Sequence, residues 1–384
     1  ADSDFDHLGD ACDNDADNDG IPNSKDSTTD MMGMNVPLYD DTDDDGTKNS
    51  ADDDIDGDGI ANTRDRYPID TDNDGRQNDH DGDDDDDGYP DSTEESAGSD
   101  PLDPISFPNA GKVGFVRRPS GSSGSRSVHI GALSDLGSAR QIISPMQSPR
   151  MPRFFNGDQG LVALTKKPGA STKFIWWKSK ASPASVDVGS PVRSVVPLGH
   201  DQSGNLTTVG VVREEPKNGQ KWLLSRFAVS GMQMKPTDVV DSFGDITSLD
   251  RDGGRFAFLA GVSGCDACRS AYTVPTGGGE PNLEAAPEGT PQRLRYAAGR
   301  VAMVVDDAEG RTAVVASGNS ISSVEPPGVV DVDSVVPLDF DGHLLVSAKR
   351  ENDSFDIWFY NGRKHRWHRI LQSSDDLIEI DWIR

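Results

Sequence analysis

From residue 110 onward, short apolar runs alternate with polar turns, and the runs return at a nearly constant interval. Six of them open on glycine: GKVGFVRR from Gly111, GLVALTKK from Gly160, GNLTTVGVVRE from Gly204, GRFAFLAGV from Gly254, GRVAMVVDD from Gly299 and GHLLVSAKR from Gly342. Their starts are 49, 44, 50, 45 and 43 residues apart, close to the ~40–50 residues that one four-stranded propeller blade occupies. Each is followed by a second apolar run, such as KFIWWKS, KWLLSRFAV, TAVVAS or FDIWFYN, and then by a shorter polar one. Ahead of it lies a run that ends in a turn, as in SLDRDGG and PLDFDGH. Four strands in each of six units predict an all-β fold, a six-bladed β-propeller over residues 110–384. The final LIEIDWIR has the pattern of the strand that opens a unit, so it is expected to return to the strand at Gly111 and close the ring. A β-sandwich or a solenoid is the competing architecture for strands of this length.

The preceding hundred residues lack any such pattern. Only 16 of residues 1–104 are Ile, Leu, Val, Met, Phe, Trp, Tyr or Cys, too few to bury a core. Charge divides the chain at the same place: residues 1–104 hold 36 acidic and 5 basic side chains, and residues 105–384 hold 30 and 32, so a net −31 is followed by a net +2. The expected organisation is an acidic arm over 1–94 with little regular secondary structure, a linker with a helical turn and prolines over 95–109, and the propeller over 110–384. A chain at net −29 is repelled by nucleic acid, and no run is long and apolar enough to span a membrane.

The arm is repetitive in its own way. Six times it writes Asp-x-Asp-x-Asp-Gly-x-x-(Asn/Asp)-x-x-(Asp/Glu), the ligand spacing of a calcium loop. Side chains at places one, three, five and twelve and a backbone carbonyl at place seven surround one cation, and the glycine at place six permits the turn. The first loop offers Asp2, Asp4, Asp6 and Asp13, with His7 where glycine belongs; the second offers Asp15, Asp17, Asp19, the carbonyl of Ile21, and Asp26, with Asn23 placed to hold a water. The third uses Asp41, Asp43, Asp45, Thr47 and Asp52, and the fourth Asp54, Asp56, Asp58, Ile60 and Asp65. The fifth uses Asp70, Asp72, Asp74, Arg76 and Asp81, and the sixth Asp83, Asp85, Asp87, Tyr89 and Glu94. An acidic run is ordinarily a solvated or disordered segment. Here glycine returns at the sixth place five times and Asn or Asp at the ninth in all six, which chance does not give. Every ligand is an oxygen, so the cofactor is several Ca2+ ions rather than zinc or copper.

Helix-flanked calcium loops are excluded, because the next loop begins at Asp54 almost directly after Asp52. The close pairing of loops, and stretches such as DADNDGIPNSKD and DHLGDACD, resemble thrombospondin type 3 repeats. The resemblance implies an extended chain threaded by calcium ions, with metal in place of a hydrophobic core. It also implies a partner for Cys12 in a nearby Asn-Cys-Pro step, and no such step follows. In the second region, LDRDGGRFAF and LDFDGHLLVSA resemble the turns of six-bladed propellers of the TolB type.

Catalytic signatures are missing: there is no Gly-x-Ser-x-Gly, His-Glu-x-x-His, phosphate loop or nucleotide fingerprint, so the chain is read as a non-enzyme. Cys265 and Cys268, in GVSGCDACRSAY, have neither a second ligand pair for zinc nor a thioredoxin-like setting, and a hairpin disulfide is expected, with free thiols as the alternative. The basic NGRKHRWHR (Asn361 to Arg369) reads as a solvated hairpin or as a site for an acidic group. The six tryptophans read as blade packing before sugar stacking. Loops of this kind fill at the ~10⁻⁴ to 10⁻³ M calcium outside cells. The expectation is an extracellular or cell-surface protein, secreted, in which a calcium-rigidified arm carries a propeller with a glycan or protein ligand. A secreted hydrolase with its site at the propeller mouth and a purely structural spacer are the alternatives.

Overall fold

A computed structural model describes residues 52–383 except 57–59, 65–67, 73, 109, 121–124, 145–147, 180, 216–220, 230–236, 241–242, 244, 262–268, 309, 318–319, 339–341 and 352–353, together with the backbone of 26–29 and 35–37. The chain separates into two compact units, Ala1–Asn109 and Ala110–Arg384.

In the first unit, regular structure among the described residues is sparse. Asp26–Thr29 pairs antiparallel with Asn35–Pro37, and a single 3-10 turn spans Asn78–His80. The helix Asp91–Ala97 follows Pro90 and ends at Gly98, whose left-handed backbone (φ 76°) lets its N–H reach the carbonyls of Glu94 and Glu95. Asp91 and Glu94 lie in its first turn, where the helix dipole favours acids. The apolar content is slight: Tyr89 stacks on the buried Phe107 with ring centroids 5.8 Å apart.

The second unit is a ring of six four-stranded antiparallel sheets. Blade 2 holds Arg150–Phe155, Gly160–Leu164, Lys173–Lys178 and Ala184–Asp187; blade 3 holds Val192–His200, Leu206–Glu214, Trp222–Ala228 and Thr237–Val240. Blade 4 holds Asp245–Asp252, Arg255–Gly261, Ser270–Pro275 and Asn282–Ala285; blade 5 holds Thr290–Ala297, Arg300–Asp306, Arg311–Ser317 and Ser320–Ser323. Blade 6 holds Val329–Pro337, Leu344–Arg350, Phe355–Asn361 and Arg366–Ser373. Blade 1 is built from both ends of the domain: Asp376–Ile383 is its innermost strand, paired with Lys112–Arg118 (Ile378 opposite Val116, Trp382 opposite Val113), then Ser127–Ala132 and Arg140–Ile143. The last strand therefore closes the ring as its pattern implies.

Strand character follows position. The second strand of each blade is covered on both faces by neighbouring blades, so Gly160–Leu164 is buried throughout and Arg300–Asp306 is buried at all but its ends. The fourth strand forms the rim; Ser320–Ser323 is exposed along its length, and short polar strands there discourage edge pairing. The apolar core lies between blades: Phe155, Val162 and Phe174 of blade 2 pack on Val195, Val209 and Phe227 of blade 3, and the same holds for blades 3 and 4, 4 and 5, 5 and 6, and 1 and 2. The innermost strands contact one another around the axis. All six shift register against their second strand, and such a bulge re-aims side chains. Met151 and Glu379, at φ 51° and 54°, sit at two of these shifts.

Candidate functional site

The fifth and sixth loops of the arm fold alike. In each, the backbone N–H at place five donates to the third-place aspartate (Asp74 to Asp72, 2.9 Å; Asp87 to Asp85, 3.0 Å), and the N–H at place seven donates to the fifth (Arg76 to Asp74, 2.9 Å; Tyr89 to Asp87, 2.6 Å). Gly75 and Gly88, both at φ 95°, make the turn and donate to the first-place carboxylates of Asp70 and Asp83. Carboxylate oxygens of Asp70, Asp72 and Asp74 thus lie within 4.8 Å of one another, as do those of Asp83, Asp85 and Asp87.

The ninth place has a use that spacing does not reveal. Asn62, Asn78 and Asp91 each accept, through a side-chain oxygen, the N–H of the second residue of their own loop (Ile55, Thr71 and Asp84, 2.9–3.0 Å). Each also donates its backbone N–H to the carbonyl just ahead of the loop (Asp53, Ile69 and Gly82). In the described loops this side chain is a clasp that closes the loop; Asn23, expected to hold a water, lies outside the described residues. Consecutive loops are tied as well, because the Asp70 N–H donates to Asp56 at 2.8 Å.

Of the described loops, the sixth is the most enclosed. Asp85, Asp87 and Glu94 are buried, and neither Glu94 oxygen, nor Oδ2 of Asp85, has a hydrogen-bond partner among the described residues. Burial, then Asp87, pushes the Asp85 carboxyl up to about 9, and burial, then Asp87, pushes Glu94 up to about 8. Asp84 is raised to about 7 by burial and then Asp91, and Asp72 to about 6 by burial against an opposing backbone hydrogen bond from Asp74. Buried carboxylates that converge and raise one another in this way fit a hard divalent ion bound by oxygen. Asp81 instead accepts the N–H groups of Gly82 and Asp83 and stands 4.0 Å from Arg76. Asp52 accepts the N–H of Asp54 at 2.9 Å. The side chains of the first three loops as far as Asp45, the backbone at Thr47, and Asp58 and Asp65 lie outside the described residues, as do Cys12, Cys265 and Cys268.

In the propeller, the C-terminal ends of all six innermost strands converge on a cavity of about 430 Å³ at one mouth of the axis. Arg153, Pro197, Asp250, Arg295, Pro337 and Asp381 represent blades 2, 3, 4, 5, 6 and 1 in its lining. The Asp381 carboxylate accepts the N–H of Phe154 and pairs with Arg295 at 2.8 Å. The Asp250 carboxylate accepts the N–H of Tyr296 at 2.9 Å and stands 3.5 Å from Nε of Arg153. Burial, then repulsion from Arg295, lowers Arg153 to about 10, and burial raises Asp381. A hole of about 20 Å³ beneath, lined by Arg153, Arg293 and Glu379, has room for one water molecule.

This floor repeats across the axis. Blades 1 and 4, 2 and 5, and 3 and 6 are opposite pairs; Asp381 corresponds to Asp250, the Arg153–Phe154 step to Arg295–Tyr296, and Ser194–Leu198 to Ser334–Leu338, which have the same sequence SVVPL. None of the four charged residues carries a motif. The repeated pentapeptide marks the two-fold repeat of the innermost strands but not the charged residues themselves.

Two other sequence features fall into place. Trp177, Trp222 and Trp358 are buried in inter-blade clusters, Trp176 and Trp367 pack against such clusters, and Trp382 lines the axial cavity. The basic run forms the turn between the last two strands of blade 6, where Asn361 accepts the N–H groups of Arg363 and Lys364.

Comparison with known proteins supports both halves. The family model for the thrombospondin type 3 repeat matches residues 1–27; repeats of that family are calcium-binding and extracellular. The propeller is similar in fold to TolB from Acinetobacter baumannii (14% identity, 77% of this chain and 74% of that one, TM-score 0.53) and to a chain of the nidogen/laminin complex (10% identity, 70% and 97%, TM-score 0.50). A comparison with curated protein sequences finds no match. No helix among the described residues is long and apolar enough to cross a membrane.

Proposed function

We propose that the chain is an extracellular calcium-dependent scaffold or adhesion protein: a segment stiffened by calcium, joined in sequence to a propeller that binds a glycan or a protein. The observation that carries this reading is the sixth loop, where the Asp83, Asp85 and Asp87 carboxylates converge and the buried oxygens of Glu94 and Oδ2 of Asp85 have no hydrogen-bond partner among the described residues. Asp83, Asp85, Asp87 and Glu94 would hold one ion, Asp70, Asp72 and Asp74 another, and the remaining loops further ions of the same kind. The ion neutralises carboxylates that otherwise repel, so its binding free energy is folding free energy for this segment. Asn62, Asn78 and Asp91 hold each loop in shape for it, and Gly75 and Gly88 supply its turn.

Calorimetric titration of the whole chain with calcium tests the arm. Uptake of several ions, with a more compact chain by small-angle scattering, is expected; fewer than about three ions would overturn the loop assignment. Retention of the calcium-loaded chain on cell-surface and matrix fractions, compared with the chelated chain, tests the adhesion reading. Failure to be retained in both states would favour the spacer. Catalysis is no part of this reading, and hydrolysis of glycan or peptide substrates that is lost on changing a cavity carboxylate would replace it.

A further inference from the structure

The geometry of the axial cavity points to a neutral, hydroxyl-rich ligand: we propose that it binds an uncharged glycan, an inference that rests on reading the propeller as the ligand-binding half of the chain. Its volume of about 430 Å³ falls within the ~300–1,000 Å³ of small-molecule sites. Strands from all six blades surround it, so the site exists only when the ring is closed.

The floor carries two guanidinium and two carboxylate groups, Arg153 with Asp250 and Arg295 with Asp381. A ligand with one sign of charge gains from one member of each pair and is repelled by the other. The two pairs correspond across the axis but differ in closeness. Arg295 donates to Asp381 at 2.8 Å and also stands 3.9 Å from Asp250, whereas Arg153 Nε stands 3.5 Å from the other Asp250 oxygen and has no hydrogen-bond partner among the described residues, although Arg153 is only 6% exposed. A buried donor left in this way is costly. The group that completes the open pair accepts from a guanidinium and donates to a carboxylate through a single atom, and a hydroxyl does both. An amide does so only through two separate atoms, and a carboxylate cannot donate.

The pseudo-two-fold repeat extends the argument. A second Arg–Asp pair of the same chemistry lies across the axis, so a molecule with hydroxyls repeated along its length meets both. Between the pairs, the wall is apolar where Val196–Pro197 and Val336–Pro337 stand opposite each other, and Trp382 lines the same cavity. These surfaces suit the C–H faces of sugar rings, while the floor takes the hydroxyls.

The test uses the whole chain in calcium against an array of neutral glycans and of sulfated or carboxylated ones, followed by calorimetry on each hit. Binding of neutral oligosaccharides is expected. Asp250→Asn, which keeps an oxygen for the Tyr296 N–H, is expected to weaken it at least tenfold. Asp381→Asn, at the closed pair, is expected to weaken it less. Ala297→Trp fills the lining from the rim without touching the buried floor, and it should abolish binding with an unchanged thermal midpoint. The proposal is overturned if only charged glycans bind, if binding survives Ala297→Trp, or if no glycan binds at millimolar concentration. In that last case, continued calcium-dependent retention on cell-surface fractions would leave the scaffold reading standing, and loss of retention would remove both.

Discussion

In the propeller, the buried carboxylates of Asp245 and Asp333 each meet guanidinium groups, Arg193 and Arg269 for the first and Arg293 for the second, with Arg311 4.0 Å away. These partners hold both acids below the usual range against the opposing effect of burial. In the arm, the buried carboxylates of Asp85 and Glu94 meet Asp87, Asp83 and each other, and burial with that repulsion holds them far above it. Among the described residues, buried carboxylates thus meet cations in one unit and chiefly other carboxylates in the other. On the proposed reading, the difference reflects where each unit's order comes from: apolar packing and internal ion pairs in the ring, and a cation from solution in the arm.

The largest effect should come from breaking the ring. Deleting residues 376–384 removes the innermost strand of blade 1, leaves Lys112–Arg118 as an unpaired edge, and takes away the carboxylates that Arg126, Arg295, Met151 and Phe154 use. The propeller is expected to lose its cooperative thermal transition, while the calcium stoichiometry of the arm stays as it was. A propeller that still melts in one sharp step would show that closure is dispensable. Chelation should do the reverse. With calcium removed, limited proteolysis is expected to cut within 1–109 and spare 110–384; at 100 times its dissociation constant each ion contributes about 2.7 kcal/mol. Simultaneous loss of both units would abolish the distinction between them.

One kind of substitution should have opposite signs in the two units. Asp333→Ala leaves Arg293 without its carboxylate and the Glu379 N–H without its acceptor, and removal of one member of a buried pair costs roughly 3–5 kcal/mol. Asp85→Asn removes one of several mutually repelling acids. It is expected to stabilise the calcium-free arm while weakening calcium binding, read by denaturant titration with and without the ion. Destabilisation of the calcium-free arm by Asp85→Asn would show that the acid has a structural partner there.

The two units differed as much in legibility as in chemistry. The blades could be read from sequence because each repeats a local pattern, a glycine followed by an apolar strand, and burial on both faces makes that pattern strong. LIEIDWIR betrayed ring closure for the same reason. The turns of the fifth and sixth loops were legible because the positions of residues such as Asp70, Asp72 and Asp74 are set by bonds between near neighbours. The axial floor was not, since Arg153 and Arg295 lie 142 residues apart and no local rule marks which residue of an innermost strand points to the axis after a bulge. The clasp formed by Asn78 was also hidden: its partner is the second residue of the loop, which varies between Ile55, Thr71 and Asp84, so only the acceptor leaves a trace in the pattern.

A pH titration offers the gentlest separation of the two units, because its slope should change sign between them. Without calcium, the folded arm holds protons on Asp72, Asp84, Glu94 and Asp85 up to about 6, 7, 8 and 9, whereas the unfolded chain releases them near 4. Between those values the folded state binds more protons, so stability is full below about pH 4 and falls as pH rises toward 9. In the propeller, burial and then Arg366 lower His368 to about 4. Between about 4 and the unfolded value near 6.5 it is the unfolded state that binds more protons. The contribution of His368 is therefore present above about 6.5 and is lost as pH falls through 4. Following each unit's unfolding by its own probe from pH 4 to 6.5 in chelator, the arm should weaken with rising pH, while His368 strengthens the propeller against the opposing effect of the raised Asp381 and Asp356. His368→Gln should flatten the propeller's slope and leave the arm's unchanged; parallel slopes in the two units would show that His368 does not set the propeller's pH dependence.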